Sequence, residues 1–158
     1  MRVRRFVPDD AEACAAVHDA VADEGTWILT EGPIDHAEWA ARMRANPDPM
    51  FVLDDVGEVV GLCGLHAFPR APGVMSLGMA IRSGRRGRGG GRMLMDAALA
   101  HAREAGLHKV ELEVFPENAR AIGLYAAYGF SVEGLRREHF LRRDGTRRDT
   151  LIMALLLG

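Results

Sequence analysis

The residues with the clearest chemical potential form one run, Arg85-Arg86-Gly87-Arg88-Gly89-Gly90-Gly91-Arg92. Glycines leave backbone amides uncovered, and arginines offer forked donors that match phosphate oxygens. The run lies between two apolar segments of different period. Val74 to Ile81 is short, apolar and bounded by Pro72-Gly73 and Ser83-Gly84, which predicts a largely buried strand. Leu94, Ala97, Ala98, Ala102 and Ala105 recur with helical spacing and predict an amphipathic helix ending near Gly106. The glycines therefore occupy a strand-to-helix turn. The first amides of a helix lack intrahelical acceptors and sit at the positive end of its dipole, so the expected ligand is a phosphate or pyrophosphate. A plain flexible turn and an arginine-glycine RNA-binding segment are the competing readings. No aromatics interleave the run, as single-strand binding requires. Neither G-x-G-x-x-G in register nor Gly-Lys-[Ser/Thr] is present, which argues against a dinucleotide or nucleoside triphosphate.

The elements that must hold this turn follow from the rest of the chain. With 158 residues, 48% apolar and 27% charged, the sequence fits one globular domain over residues 1–158. A net charge of −2 argues against a generally basic nucleic-acid binder. The N-terminus lacks an apolar signal core, and no apolar run approaches the roughly 18 residues of a membrane span, so a soluble, cytoplasmic protein without a membrane partner is expected. Cys14 and Cys63 stand in apolar surroundings without metal-ligand spacing and read as buried free thiols, with no metal site.

Met1 to Val7 alternates as a strand, Pro8-Asp9-Asp10 starts a first helix over Ala11 to Val21, and Gly25 to Gly32 forms a mixed loop. Pro33 is placed to open a second helix reaching about Ala45. Met50–Asp54 and Val59–Phe68 read as a hairpin around Asp55-Val56-Gly57, and with Val74–Ile81 they make an antiparallel meander. His108 to Phe115 alternates as a fifth strand, parallel to the one before the glycine turn by the crossover rule. Pro116-Glu117-Asn118 starts a helix through Tyr128 closed by Gly129, and a last hairpin turns at Asp144-Gly145.

This order of elements resembles the GNAT superfamily of acyl-CoA N-acyltransferases. That family carries a [Q/R]-x-x-G-x-[G/A] turn, matched by Arg86-Gly87-Arg88-Gly89-Gly90-Gly91. Its members often continue with N-x-x-A-x-x-L-Y-x-x-x-G-F, matched by Asn118, Ala121, Leu124, Tyr125, Gly129 and Phe130. The resemblance covers nearly the whole chain. It implies a three-layer α/β (α+β) fold with four helices and a mixed, mostly antiparallel seven-stranded sheet splayed between strands four and five.

It also implies an acetyl-CoA-dependent N-acetyltransferase with no metal. Acetyl-CoA would lie in the splay, its pantetheine arm along Met79, Ala80 and Ile81, its pyrophosphate on the amides of Gly87 to Arg92, and Asn118 on the far side. Asn118 and Tyr125 are seven residues apart, about −20° on a helical wheel, so both can face one groove. An amine attacking a thioester needs a neutral nitrogen, oxyanion stabilisation and a proton for the thiolate. Tyr125, a phenol protonated at neutral pH, is the candidate proton donor, and a backbone N–H near Met79 the oxyanion donor. Tyr125 also reads as an ordinary core aromatic, and Asn118 as a helix cap.

The base is open. Many relatives carry a carboxylate on the fourth strand, where Ser76 stands here. Glu111, Glu113, His66 or a water chain are the alternatives, His66 reading equally as a structural strand residue. The dense arginines of the last hairpin form either a solvated edge or an attraction for an acceptor carboxylate. The favoured acceptor is a small primary amine, a free amino acid or similar compound. N-terminal acetylation of a protein is the alternative within enzymes, and a non-catalytic acyl-CoA-binding module the alternative outside them. The acceptor pocket is expected from Gly25–Gly32, the second helix and the last hairpin. Homodimers are common in such folds, and the apolar final strand is the candidate contributor.

Overall fold

Hydrophobic alternation and the turn residues between strands produce one continuous sheet in the computed structural model, which describes residues 1–158. In chain order the elements are β1 (Arg2–Arg5), a 3-10 turn at Pro8–Asp10, α1 (Ala11–Ala22), α2 (His36–Ala45), β2 (Met50–Asp55), β3 (Glu58–Ala67) and β4 (Val74–Ile81). A second 3-10 turn at Ser83–Arg85 leads to α3 (Gly90–Glu104), β5 (Lys109–Val114), α4 (Ala119–Ala127), β6 (Ser131–Leu141) and β7 (Arg147–Leu156). The spatial order is β1-β2-β3-β4-β5-β7-β6. Every neighbouring pair is antiparallel except β4 and β5, which are parallel.

That parallel pairing is short. Only Val74–Ser76 meets Lys109–Glu111, after which the two strands part. β5 remains paired with β7 along its whole length, so the opening is confined to its β4 side. The mixed, splayed, seven-stranded sheet with four helices is the expected architecture.

Strand alternation sorts the side chains onto two cores. On one face, Val110, Leu112 and Val114 of β5 pack with Leu94, Met95, Ala98 and Leu99 of α3 and with Tyr125 of α4. On the other, Leu62 and Ala80 pack with Cys14, Val17 and Val21 of α1 and with Ala40 and Met43 of α2. Cys14 and Cys63 are buried free thiols whose titration desolvation pushes up to about 12.

Two local expectations are corrected, and a third element carries more strain than its glycine alone implies. The first strand is shorter, Arg2–Arg5, because the chain turns where Asp10 takes both Arg4 guanidinium nitrogens, at 2.7 and 2.8 Å, and the Val7 amide. The second helix starts at His36, not Pro33. Asp35 is its cap, accepting from the Glu38 amide at 2.9 Å, while Pro33 follows a cis peptide in the preceding loop. The β2–β3 turn needs two left-handed residues, Val56 at φ 55° as well as Gly57 at φ 87°, as a two-residue hairpin with matching twist demands.

Candidate active site

A cleft of about 1260 Å³ lies where β4 and β5 part. It is walled by β4, the glycine turn and α4, and continues toward α1, α2 and the loop joining them. Backbone alternation decides what β4 offers to it. The Arg82 amide donates to the Val60 carbonyl of β3 at 3.0 Å, so two-residue alternation turns the Ala80 N–H and C=O toward β3 as well. Met79 presents its N–H and C=O to the gap and Ile81 its N–H, the Ile81 carbonyl being taken by Arg86. Of the three residues expected to bond an extended ligand, Ala80 lines the cleft with its side chain only.

Glycine shapes the turn in two ways. Gly87 and Gly89 adopt φ of 79° and 85°, left-handed values that side chains disfavour. Gly90, the first residue of α3, sits so close to the sheet that a Cβ there would stand 2.5 Å from Leu53 Cδ2. Within α3 the first bond comes from the Met93 amide to the Gly89 carbonyl, at 3.1 Å. The amides of Gly87, Arg88, Gly89, Gly90, Gly91 and Arg92 donate to no other backbone group, leaving six consecutive donors that run from the turn into the first three residues of the fifteen-residue α3. These are the donors that anion binding at a helix N-terminus requires.

The arginines are less uniform than their sequence. Arg86 does not reach over the turn. Its Nε donates to the Ile81 carbonyl at 2.7 Å, and its two terminal nitrogens bind the Glu24 carboxylate at 2.7 and 2.6 Å. Arg86 thus ties the turn to the end of α1, and its charge holds the Glu24 carboxyl below its usual range. Arg88 is exposed outside the cleft lining, whereas Arg92 contributes to it. The cation that overlies the turn is Arg120 of α4. Its Nη2 stands 2.8 Å from where a Gly87 Cβ would be, and the guanidinium lines the cleft. Its place two residues after Asn118 was the available signal.

Asn118 and Tyr125 both line the cleft, as their spacing suggested. Asn118 caps α4 by accepting from the Ala121 amide at 3.2 Å, and its Nδ2 lies 3.5 Å from the Trp27 carbonyl in the α1–α2 loop. A Schellman closure with Gly129 at φ 92° fixes the other end, where the Phe130 amide donates to the Tyr125 carbonyl at 3.1 Å. It sets the Phe130 ring 6.0 Å from the Tyr125 ring. Tyr125 is 9% exposed, and desolvation raises its phenol well above the usual range, so it retains its proton. Tyr125 is therefore both a core aromatic and a cleft residue. Tyr128, by contrast, bonds Asp96 at 2.7 Å and braces α4 against α3.

The hairpin arginines divide: Arg142 and Arg148 turn inward, whereas Arg136, Arg137, Arg143 and Arg147 are exposed. Arg142 is buried against the α1–α2 loop, with its Nη2 3.2 Å from the Ile28 carbonyl and its guanidinium 4.8 Å from the Phe115 ring. Arg148 stacks on the same ring at 3.7 Å and reaches the Gly25 carbonyl and Glu117. Arg136 pairs with Glu113, and Arg143 bonds Glu31 and Gly32. The hairpin clamps the loop that borders the cleft. Sequence reading also missed His18, which stacks on Trp39 at 4.2 Å and bonds Thr30 at 2.9 Å. Burial lowers its pKa to about 4, so it is neutral at pH 7.

No group of three or more His, Cys, Asp or Glu side chains is arranged to hold a metal, and no helix is long and apolar enough to cross a membrane. A sheet opened beside a helix N-terminus with six free amides is an architecture for an extended, phosphate-bearing cosubstrate. The model of the acetyltransferase (GNAT) family matches residues 14–130, and the chain belongs to that family of acetyl-CoA-dependent N-acetyltransferases. The L-amino acid N-acetyltransferase AaaT of Escherichia coli is 28% identical over 156 residues, covering 96% of this chain and 95% of that protein. Mycothiol acetyltransferase of Jonesia denitrificans is 30% identical over 135 residues, 81% of this chain, which spans only 42% of that relative's length. The fold is shared with a phosphinothricin acetyltransferase from Sinorhizobium meliloti solved with AcCoA, at TM-score 0.87 and 24% identity over 99% of this chain and 88% of that one.

Proposed function

We propose that residues 1–158 act as one domain that transfers the acetyl group of acetyl-CoA directly to the primary amine of a small molecule, a free amino acid or a similar compound. The observation that carries this reading is the alignment of two sets of backbone groups along one cleft: those of Met79 with the Ile81 N–H, and the unengaged amides of Gly87 to Arg92. The likeness to an L-amino acid N-acetyltransferase along nearly its full length supports the choice of acceptor.

The cosubstrate supplies an activated thioester carbonyl. The amides of Gly87 to Arg92 hold pyrophosphate charge, with Arg120 as the nearest cation on α4. The Met79 N–H is directed into the gap as the donor for negative charge developing on the carbonyl oxygen. The Tyr125 O–H, kept protonated at rest by burial, is the proton donor for the departing thiolate. Asn118 shapes the far wall and, through Trp27, links it to the loop on the acceptor side.

Thiol release from acetyl-CoA in the presence of amino acids, polyamines, aminoglycosides and peptides tests the proposal. Release with an amino acid is the expected result, and Tyr125→Phe is expected to lower kcat about 100-fold while keeping acetyl-CoA affinity. Silence across the panel despite tight acetyl-CoA binding refutes it.

A further inference from the structure

We infer that His66 takes the proton from the acceptor's ammonium group, an inference that rests on the amine-acetylation reading above. The carboxylates that β5 turns toward this part of the cleft are otherwise engaged. Glu113 accepts from Arg136 at 3.0 Å and from the Thr150 hydroxyl, and Glu111 pairs with Lys109 at 3.4 Å. β4 itself offers Ser76. His66 is the cross-strand partner of Ser76, so its imidazole rises from β3 beside the position that lacks a carboxylate.

Two glycines make room for the ring. A Cβ at Gly64, two residues earlier on β3, would stand 3.0 Å from His66 Nε2, and one at Gly78 on β4 would stand 3.9 Å from it. The ring therefore lies across both strands, with Nε2 over the glycines. At the other nitrogen, Asp48 Oδ2 is 3.7 Å from Nδ1 and is itself held by the Ala67 amide at 3.2 Å. Nδ1 is thus the nitrogen on the Asp48 side, and Nε2 is the one that lies over the glycines. The side chain is 51% exposed and lines the same cleft as Met79, giving its proton a route to water.

Strand alternation places His66 with Gly64 and Leu62 on the face covered by α1 and α2. Tyr125 belongs to the core on the opposite face. Proton removal and proton delivery are thus assigned to different sides of the sheet. The N–H bond of the ammonium breaks, its electron pair stays on nitrogen, and the proton passes to Nε2 and then to water. An imidazole does this near neutral pH. The other ionisable or charged groups on this side of the cleft are Asp48 before β2, Glu111 and Glu113 on β5, His18 on α1, Glu31 and Asp35 in the α1–α2 loop, Glu38 and Arg42 on α2, and Arg143 of the last hairpin.

The test follows kcat/KM for an amino-acid acceptor between about pH 6 and 9 in wild type, His66→Ala, His66→Gln and Asp48→Asn, with acetyl-CoA affinity measured calorimetrically. Both His66 variants are expected to lose about 100-fold at pH 7 with unchanged acetyl-CoA Kd, and imidazole in solution to restore part of the His66→Ala rate. Asp48→Asn is expected to lower kcat/KM far less than either His66 variant, since Asp48 stands beside Nδ1 and not Nε2. In proton NMR the His66 ring resonance, assigned by its loss in His66→Gln, is expected to move when acceptor is added to the coenzyme A complex. Wild-type turnover with His66→Ala unchanged in rate and pH profile, or a ring resonance indifferent to acceptor, overturns the inference alone. Absence of turnover in the wild type with every acceptor overturns the acetylation reading and this inference together.

Discussion

Replacing Gly89 and Gly90 separately by alanine distinguishes backbone conformation from packing in the phosphate turn. Gly89 has φ 85° and nothing within 4 Å of where its Cβ would stand, so the alanine adds left-handed strain alone, about 1–2 kcal/mol. If the turn relaxes to relieve it, the amides of Gly87 to Gly89 swing away from those that open α3, and a bound phosphate has to draw them back. The Kd for acetyl-CoA should then rise about 5–30-fold, the equivalent of that strain. Gly90 carries no such strain, but its Cβ would meet fully buried Leu53 at 2.5 Å. Gly90→Ala should therefore overpack the core by about 1–3 kcal/mol and lower the melting temperature by several degrees. Gly84→Ala is the control, since its Cβ has open space and its backbone is not left-handed. Calorimetric titration with acetyl-CoA and thermal melts of all three variants give the comparison. A Gly89→Ala variant that binds like wild type would refute the idea that convergent amides hold the pyrophosphate.

Arg120→Ala should weaken acetyl-CoA binding by about tenfold or more, the worth of a charge-assisted bond, whereas Arg88→Ala should leave titrations unchanged; the reverse order would return the rim charge to Arg88. Arg86 keeps the Glu24 carboxyl below its ordinary 4.5, so the pair stabilises the fold fully above that pH and progressively less as pH falls through the lower folded-state value. Glu24→Gln should consequently show a flatter melting-temperature profile below about pH 4.5, and an unchanged slope would assign the acid sensitivity elsewhere. Arg142→Met removes the bonds to Ile28 and Leu29. It should raise KM for the amine with little change in acetyl-CoA Kd, and equal effects on both would contradict a clamp on the acceptor side alone.

The parts of this molecule that could be read from its sequence are those whose cause is local. The alternation of Val110, Leu112 and Val114, the stripe of α3, and the asparagine and glycine bracketing α4 each act within one element. The glycine turn belongs to the same class, because a positive φ and an uncovered amide are properties of neighbouring residues. The fates of the arginines are different. Arg86 is committed to Glu24, 62 residues away, and Arg142 to Ile28, 114 residues away, so chain separation carried no hint of either bond. Pro33 suits a first helical turn, yet α2 starts at His36 because Asp35 supplies the cap that its side chain can make. Val56 was unforeseen because a β-branched residue seldom adopts a left-handed turn, here imposed by the hairpin's two-residue length.

The brief contact between β4 and β5 has a consequence for how long the protein lasts. A sheet that stops pairing after three residue couples leaves part of its ladder to be completed from outside the chain. Any ligand that does so binds the folded form and not the unfolded one, adding about 2.7 kcal/mol at a hundred times its Kd. Survival against proteolysis would then track the supply of the cosubstrate, and depletion of acetyl-CoA would shorten the lifetime of the enzyme that consumes it.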